Sequence, residues 1–232
     1  MTVLLLHPIG LDRSTWQGVP IEDSIAIDLP GHGDAPLGSV ATLADVADAA
    51  LEALQDRRPV DVVGVSLGGM VALHMALRHP DRVRSLVVAC APAATAPDAM
   101  LGRAEDTERL GMDGLMDVTL RRWFSQGALI DDRPVVRAAA ERLAADDPTA
   151  IARYWRMLAG HDLRARLGEI AVPVTVVAGT GDVSVTPAIA RELEDGIADA
   201  RLVELDGPHM LHLEAPEAFA AAVREHLARQ LG

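Results

Sequence analysis

Residues 60–70 read VDVVGVSLGGM and carry the clearest indication of the fold. The β-branched run Val60–Val65 predicts a buried strand, and the leucine- and alanine-rich stretch Ser66–His79 predicts a helix directly after it. Between them lies the pattern G-x-S-x-G, with Ser66 at its centre. A serine on so sharp a turn adopts a strained backbone, and glycine on either side avoids collisions. This context predicts that Ser66 is a nucleophile and that the Leu67 N–H, at the helix start, stabilises an oxyanion.

Short apolar runs and longer helical patterns alternate over most of the chain. Strands are predicted at Val3–His7, Ser24–Asp28, Val60–Val65, Val83–Ala89, Val172–Ala178 and Arg201–Leu205. Helices are predicted at Leu43–Leu54, Ser66–His79, Pro187–Asp195 and Pro216–Gln230, the first of them capped by Thr42. Near-continuous apolar strands that alternate with helices are typical of a parallel sheet buried on both faces. The fold class is therefore α/β, with a mostly parallel sheet of about six strands.

One long segment interrupts this alternation. About 80 residues between the fourth and fifth predicted strands carry no strand pattern, and a structureless loop of that length is improbable. Helical periods occur there instead, at Asp113–Phe124, Pro134–Ala145 and Thr149–Leu158. We therefore predict a small helical cap at residues 93–165, inserted between two parts of a core at residues 1–92 and 166–232.

The predicted cap concentrates the scarce aromatic residues of the chain. It contains four of the six, namely Trp123, Phe124, Tyr154 and Trp155. Such side chains either hold the cap helices together or line a pocket between cap and sheet. Trp123 and Trp155 are the candidate substrate-binding residues, expected to govern which substrate fits.

A serine nucleophile needs a base, and His209 is the candidate. It ends the turn DGPH at 206–209, after the last predicted strand, where a side chain can project over the strand ends. His212, one helical turn further on, is the competing candidate, for which a supporting role is expected. His161 and His226 are expected at the surface.

The carboxylate that orients the base and the second oxyanion donor are both expected at strand ends. Asp182 directly follows the fifth strand, whereas CAP at 90–92, after the fourth, offers no acid. The loop after the first strand reads HPIG at 7–10. Pro8 has no N–H, so the Ile9 N–H is the candidate donor, with a simple strand-ending turn as the alternative.

Composition excludes several classes of function. The net charge of −13 argues against nucleic acid or an anionic membrane as a partner. The chain has no lysine, which excludes Schiff-base chemistry, pyridoxal phosphate anchoring and a P-loop. A single cysteine and the absence of a signal-peptide or membrane-helix pattern indicate a cytoplasmic protein. The expected partner is a small-molecule substrate, with no metal or organic cofactor needed, and the oligomeric state is left open.

Several stretches together resemble the α/β-hydrolase superfamily over nearly the whole chain. They are HPIGLDRSTW at 7–16, DLPGHG at 28–33, GVSLGG at 64–69, GTGD at 179–182 and GPHMLHLEAP at 207–216. In the cap, RRWFSQG at 121–127 and HDLRARLGEI at 161–170 resemble the branch that contains 3-oxoadipate enol-lactone hydrolases and small carboxylesterases.

The resemblance implies a catalytic triad and an oxyanion hole. The triad residues would be Ser66, Asp182 and His209, and the oxyanion donors Ile9 and Leu67. It also implies that Trp16, His32 and the turn at Asp28 support the site near its mouth. The chain departs from the family pattern in two ways, because it lacks the usual N-terminal hairpin and has Pro8 where glycine is usual.

Together these features predict a serine hydrolase that cleaves a small ester or lactone through an acyl-serine intermediate. Three alternatives on the same fold stay open. They are a C–C bond hydrolase acting on vinylogous diketones, a cofactor-free oxygenase, and a ligand receptor that keeps the triad.

Overall fold

A computed structural model describes residues 2–55 and 57–230 and contains one six-stranded sheet. Its strands are β1 (Val3–Leu6), β2 (Ser24–Ile27), β3 (Val60–Val65), β4 (Val83–Ala89), β5 (Val174–Gly179) and β6 (Ala200–Leu205). They are parallel throughout and lie in the order β2-β1-β3-β4-β5-β6. The α/β class and the six-stranded parallel sheet expected from the sequence are therefore confirmed.

Helices cover both faces of this sheet and form the segment between β4 and β5. They are α1 (Leu43–Glu52), α2 (Leu67–Arg78), α3 (Pro97–Trp123), α4 (Gln126–Ile130), α5 (Pro134–Ala144), α6 (Pro148–Ala159), α7 (Pro187–Gly196), α8 (Leu211–Glu214) and α9 (Pro216–Arg229). Thr42 caps α1 as expected, in a reciprocal capping box with Asp45. None of the helices within the described ranges combines the length and the apolar character needed to span a membrane.

The sheet brings the candidate residues to one edge. Strands β1, β3 and β5 are buried along their whole length, so their apolar side chains pack into helices on both sides. In the register of the sheet, Leu6 pairs with Gly64 and Val65 pairs with Ala89, so β1, β3 and β4 end side by side. Loops that follow parallel strands meet at the carboxyl edge, which is where ligands bind in open α/β sheets.

Four helices, α3 to α6, occupy the stretch between β4 and β5, and α3 packs against α6 and α5. Helices α5 and α6 lie where helical periods predicted them. The predicted helix at 113–124 is only the second half of α3, which starts at Pro97 and breaks at Gly111, with φ of +67°. The first half is rich in charged residues and has little apolar period, because much of it faces solvent. The boundaries of the cap at residues 93 and 165 stay a prediction.

The expectation that His161 and His226 lie at the surface is wrong, because both side chains are buried. His161 Nε2 is 3.1 Å from the Pro92 carbonyl oxygen, and His226 Nδ1 is 2.9 Å from Thr175 Oγ1. These partners lie far away in sequence, so no local pattern indicates that either ring is buried with a hydrogen bond at one of its nitrogens.

Candidate active site

Ser66 lies on the sharp turn between β3 and α2. Its backbone has φ of +53° and ψ of −113°, a strained conformation for a residue with a side chain. A Cβ on Gly64 would lie 2.2 Å from the Gly68 carbonyl oxygen, and one on Gly68 would lie 2.2 Å from the Leu6 carbonyl oxygen. Glycine is therefore required at both places because backbone, rather than side chains, occupies the space. The turn presents Ser66 at the carboxyl edge of the sheet.

Asp182 and His209 form a buried hydrogen-bonded pair after β5 and β6. His209 Nδ1 lies 2.7 Å from Asp182 Oδ2, and the side chains are 6% and 0% exposed. The other carboxylate oxygen accepts the backbone N–H groups of Ser184 at 2.7 Å and Val185 at 2.9 Å. An ionised carboxylate only accepts hydrogen bonds, so the imidazole proton is held on Nδ1. The arrangement leaves Nε2 as the unprotonated nitrogen that can accept a proton.

A cavity of about 480 Å³ opens between this edge and the cap, and both Ser66 and His209 line it. Among the residues that the structure describes, no hydrogen bond joins Ser66 Oγ to the imidazole. Such bonds are often long or misaligned without substrate. The structure therefore brings the three candidate triad residues to one site, with the Asp182–His209 hydrogen bond formed.

One candidate oxyanion donor lines the same cavity, and the other directly follows Ser66 in the chain. Ile9 lines it, and Leu67 is the first residue of α2, where helix N–H groups have no partner within the helix. The loop containing Ile9 is anchored by buried His7, whose Nδ1 donates to the Pro8 carbonyl at 2.7 Å and whose Nε2 accepts the Leu29 N–H at 2.9 Å. Burial lowers the pKa of His7 to about 4, so the ring stays neutral and can both donate and accept.

The ring of His212, the competing candidate for the base, contacts Thr15 and two aromatic rings. Its Nε2 lies 3.0 Å from Thr15 Oγ1, and its fully buried ring packs against Trp16 and Phe219. Burial lowers its pKa to about 3. The geometry therefore favours a supporting role for His212.

The supports implied by the resemblance are buried parts of the same scaffold. His32 contacts the rings of His7 and Tyr154, and the nearly buried carboxylate of Asp28 forms an ion pair with Arg13. Trp16 packs on His212, as described above.

Sequence reasoning missed Cys90, which directly follows β4 and has φ of +49°. Its Sγ, an oxygen of Asp182 and a nitrogen of His209 lie within 4.8 Å of one another. Burial and the Asp182 charge raise the pKa of Cys90 well above its usual value, so a thiol rather than a thiolate faces the carboxylate. Thiolate, carboxylate and imidazole are also zinc ligands, but Asp182 already accepts three N–H groups here. This cluster has the arrangement of an imidazole-orienting carboxylate.

The wall of the cavity on the cap side contains Trp123 and Trp155, the two predicted substrate-binding residues. Two arginines that sequence reasoning missed, Arg103 and Arg122, lie in the same wall. Trp123 also connects the cap to the loop that contains His209, because its carbonyl oxygen accepts the Met210 N–H at 2.9 Å. The sequence around a single arginine in a helix does not indicate which way the side chain points. Only the folded structure therefore identifies Arg103 and Arg122 as neighbours in this wall.

Serine, histidine and aspartate candidates at the carboxyl edge of a parallel sheet with a helical cap are typical of one class of protein, the α/β hydrolases. Residues 3–222 match the model of the alpha/beta hydrolase family, and the chain belongs to this family and is a hydrolase.

Several bacterial proteins are similar to this chain over nearly its whole length. The chain is 35% identical to a pimeloyl-[acyl-carrier protein] methyl ester esterase from Neisseria meningitidis, over 96% of this chain and 92% of that protein. It is 28% identical to 3-oxoadipate enol-lactonase 2 from Acinetobacter baylyi, over 98% and 88%. The crystal structure of the enol-lactonase from Burkholderia xenovorans superimposes with a TM-score of 0.91, at 28% identity, over 98% of this chain and 91% of that one. The resemblance seen in the sequence is therefore confirmed.

Proposed function

We propose that this chain hydrolyses a small ester or lactone through an acyl-serine intermediate on Ser66. The observation that carries the proposal is one cavity that contains a serine on a strained elbow beside a histidine hydrogen-bonded to a buried carboxylate. The relatives support it, since those named above are called an esterase and enol-lactonases.

The proposed reaction follows from this geometry. His209 Nε2 takes the proton of Ser66 as Oγ attacks the carbonyl carbon, and Asp182 stabilises the resulting imidazolium. The N–H groups of Ile9 and Leu67 stabilise the oxyanion. The tetrahedral intermediate collapses to an acyl-serine as His209 protonates the departing alkoxide. A water molecule, deprotonated by His209, then releases the acid and restores the hydroxyl.

Labelling by a fluorophosphonate probe tests the activated serine. We expect one probe per chain, attached to the tryptic peptide that contains Ser66, because an activated hydroxyl attacks phosphorus readily. The labelled protein should lose its turnover of short aryl esters and lactones. Absence of labelling together with absence of ester and lactone turnover would refute the proposal, and cleavage of vinylogous diketones alone would favour C–C hydrolysis.

Substitution of the two histidines tests which of them is the base. His212→Ala should keep kcat for a short aryl ester within about tenfold, while it lowers the free energy of unfolding by about 1–3 kcal/mol through lost packing on Trp16. The same substitution at His209 is the matched comparison and should remove the base, with little effect on stability. Kinetics and thermal melts of both variants measure this, and the reverse pattern would assign the base to His212.

A further inference from the structure

Two arginines on α3, Arg103 and Arg122, face the cavity that contains Ser66. They lie on either side of the break at Gly111, and both line the cavity beside Trp155. The guanidinium carbon of Arg103 lies 5.0 Å from the centroid of the Trp155 ring, a cation–π contact. Both side chains are half-buried.

Neither arginine has a carboxylate partner among the residues that the structure describes. Other arginines of the same helix are paired, since Arg109 binds Asp106 and Arg121 binds Asp117 at 2.9 Å. By contrast, within the described part of the chain the Nε of Arg122 is buried without a hydrogen-bond acceptor. The chain has 34 acidic residues against 21 arginines, so unpaired arginines do not result from a shortage of acids.

The pair is electrostatically unfavourable as it stands. Burial and the charge of Arg122 lower the pKa of Arg103 to about 10, and burial lowers the pKa of Arg122, but both remain cationic at neutral pH. Two carboxylates line the same or an adjoining cavity, and among the described residues neither pairs with these arginines. Asp106, which lines an adjoining cavity, binds Arg109, and Glu192 lines the wall formed by α7. An anion from outside the chain would relieve this repulsion and supply the missing acceptors.

The two arginines also line that adjoining, smaller cavity of about 130 Å³, between the cap helices and the loop that contains Ile9. Apolar side chains, among them Met112, Leu143 and Ile151, form much of its wall. The positive charge is therefore concentrated on the cap side of the site, whereas Ser66 lies on the sheet side.

We propose that Arg103 and Arg122 bind an anionic oxygen group of the substrate, a carboxylate or phosphate separate from the ester that Ser66 attacks. This assignment rests on the proposed function and names its substrate class, a small ester or lactone with an anionic substituent. The ester lies at the strand ends while the anionic group is held by the cap helix. Two guanidinium groups suit such a group because each offers a planar fork of donors.

A matched pair of esters measures the preference. The acyl parts of para-nitrophenyl hydrogen glutarate and para-nitrophenyl pentanoate have the same number of carbons and differ by a carboxylate in place of a methyl group. The wild-type protein should have the higher kcat/KM for the glutarate ester. Arg122→Gln should lower the ratio of the two kcat/KM values about ten- to a hundredfold, the usual loss for a charged hydrogen bond. Arg121→Gln, one residue away but exposed and paired with Asp117, is the control and should leave the ratio unchanged.

Binding measured without turnover separates this proposal from the proposed function. Free glutarate, and in a second series inorganic phosphate, should raise the melting temperature of the wild type and of Arg121→Gln but not of Arg122→Gln. Without ligand, Arg122→Gln should melt no lower than the wild type because a like-charge neighbour is removed. If neither ester is hydrolysed, the proposed function fails. The melting temperatures then still show whether Arg122 belongs to an anion-binding site. Equal ratios in wild type and Arg122→Gln, or stabilisation by neither anion, would overturn the proposal.

Discussion

Replacing Ser66 by alanine should lower kcat for a short aryl ester by about 10⁴-fold or more, because the acyl-serine route then has no nucleophile. A residual rate above that in water should remain, since the candidate oxyanion donors and the cavity are unchanged. The backbone strain at position 66 is the same for alanine, so the melting temperature should change little. Steady-state kinetics and a thermal melt of the same preparation measure both effects.

Ser184→Ala is the matched control, because Ser184 is the other serine that lines the same cavity. Its backbone N–H still donates to Asp182, so the loss of kcat should stay below about tenfold. Near-normal turnover by Ser66→Ala, or equal losses in both variants, would refute the serine mechanism.

Replacing Asp182 by asparagine should lower kcat by about 10³- to 10⁴-fold while the protein stays folded. The amide oxygen can keep accepting the N–H groups of Ser184 and Val185, whereas its NH₂ group then faces His209 Nδ1. That contact favours the tautomer protonated on Nε2, which cannot accept the Ser66 proton.

Asp206→Asn is the comparison for this experiment. Asp206 lies in the turn before His209, is exposed, and contacts Thr180 Oγ1 at 3.3 Å rather than the imidazole. Its replacement should change kcat by less than about threefold. An unchanged kcat in Asp182→Asn, combined with a large loss of kcat in Asp206→Asn, would assign the orienting carboxylate to position 206.

Local features of the sequence were sufficient to predict much of the scaffold. The elbow at Gly64, Ser66 and Gly68 is a contiguous strand–turn–helix pattern, so its conformation could be predicted without knowing what surrounds it. The six strands likewise follow from periodicity, and the capping of the α1 N-terminus by Thr42 follows from the chemistry of a few neighbouring residues. Chain order and position after strands were enough to propose Asp182 and His209, because parallel strands all end at one edge.

Contacts between distant segments were decided only by the tertiary structure. Cys90 joins the Asp182–His209 pair because β4 lies beside β5, and no pattern around Cys90 indicates this. The orientation of His212 depends on Thr15, nearly 200 residues earlier in the chain. The charged first half of α3 has too little apolar period to be recognised, yet it places Arg103 near Arg122 in the cavity wall. Periodicity reports which face of an element is buried, whereas the partners of a buried polar group depend on which elements meet there.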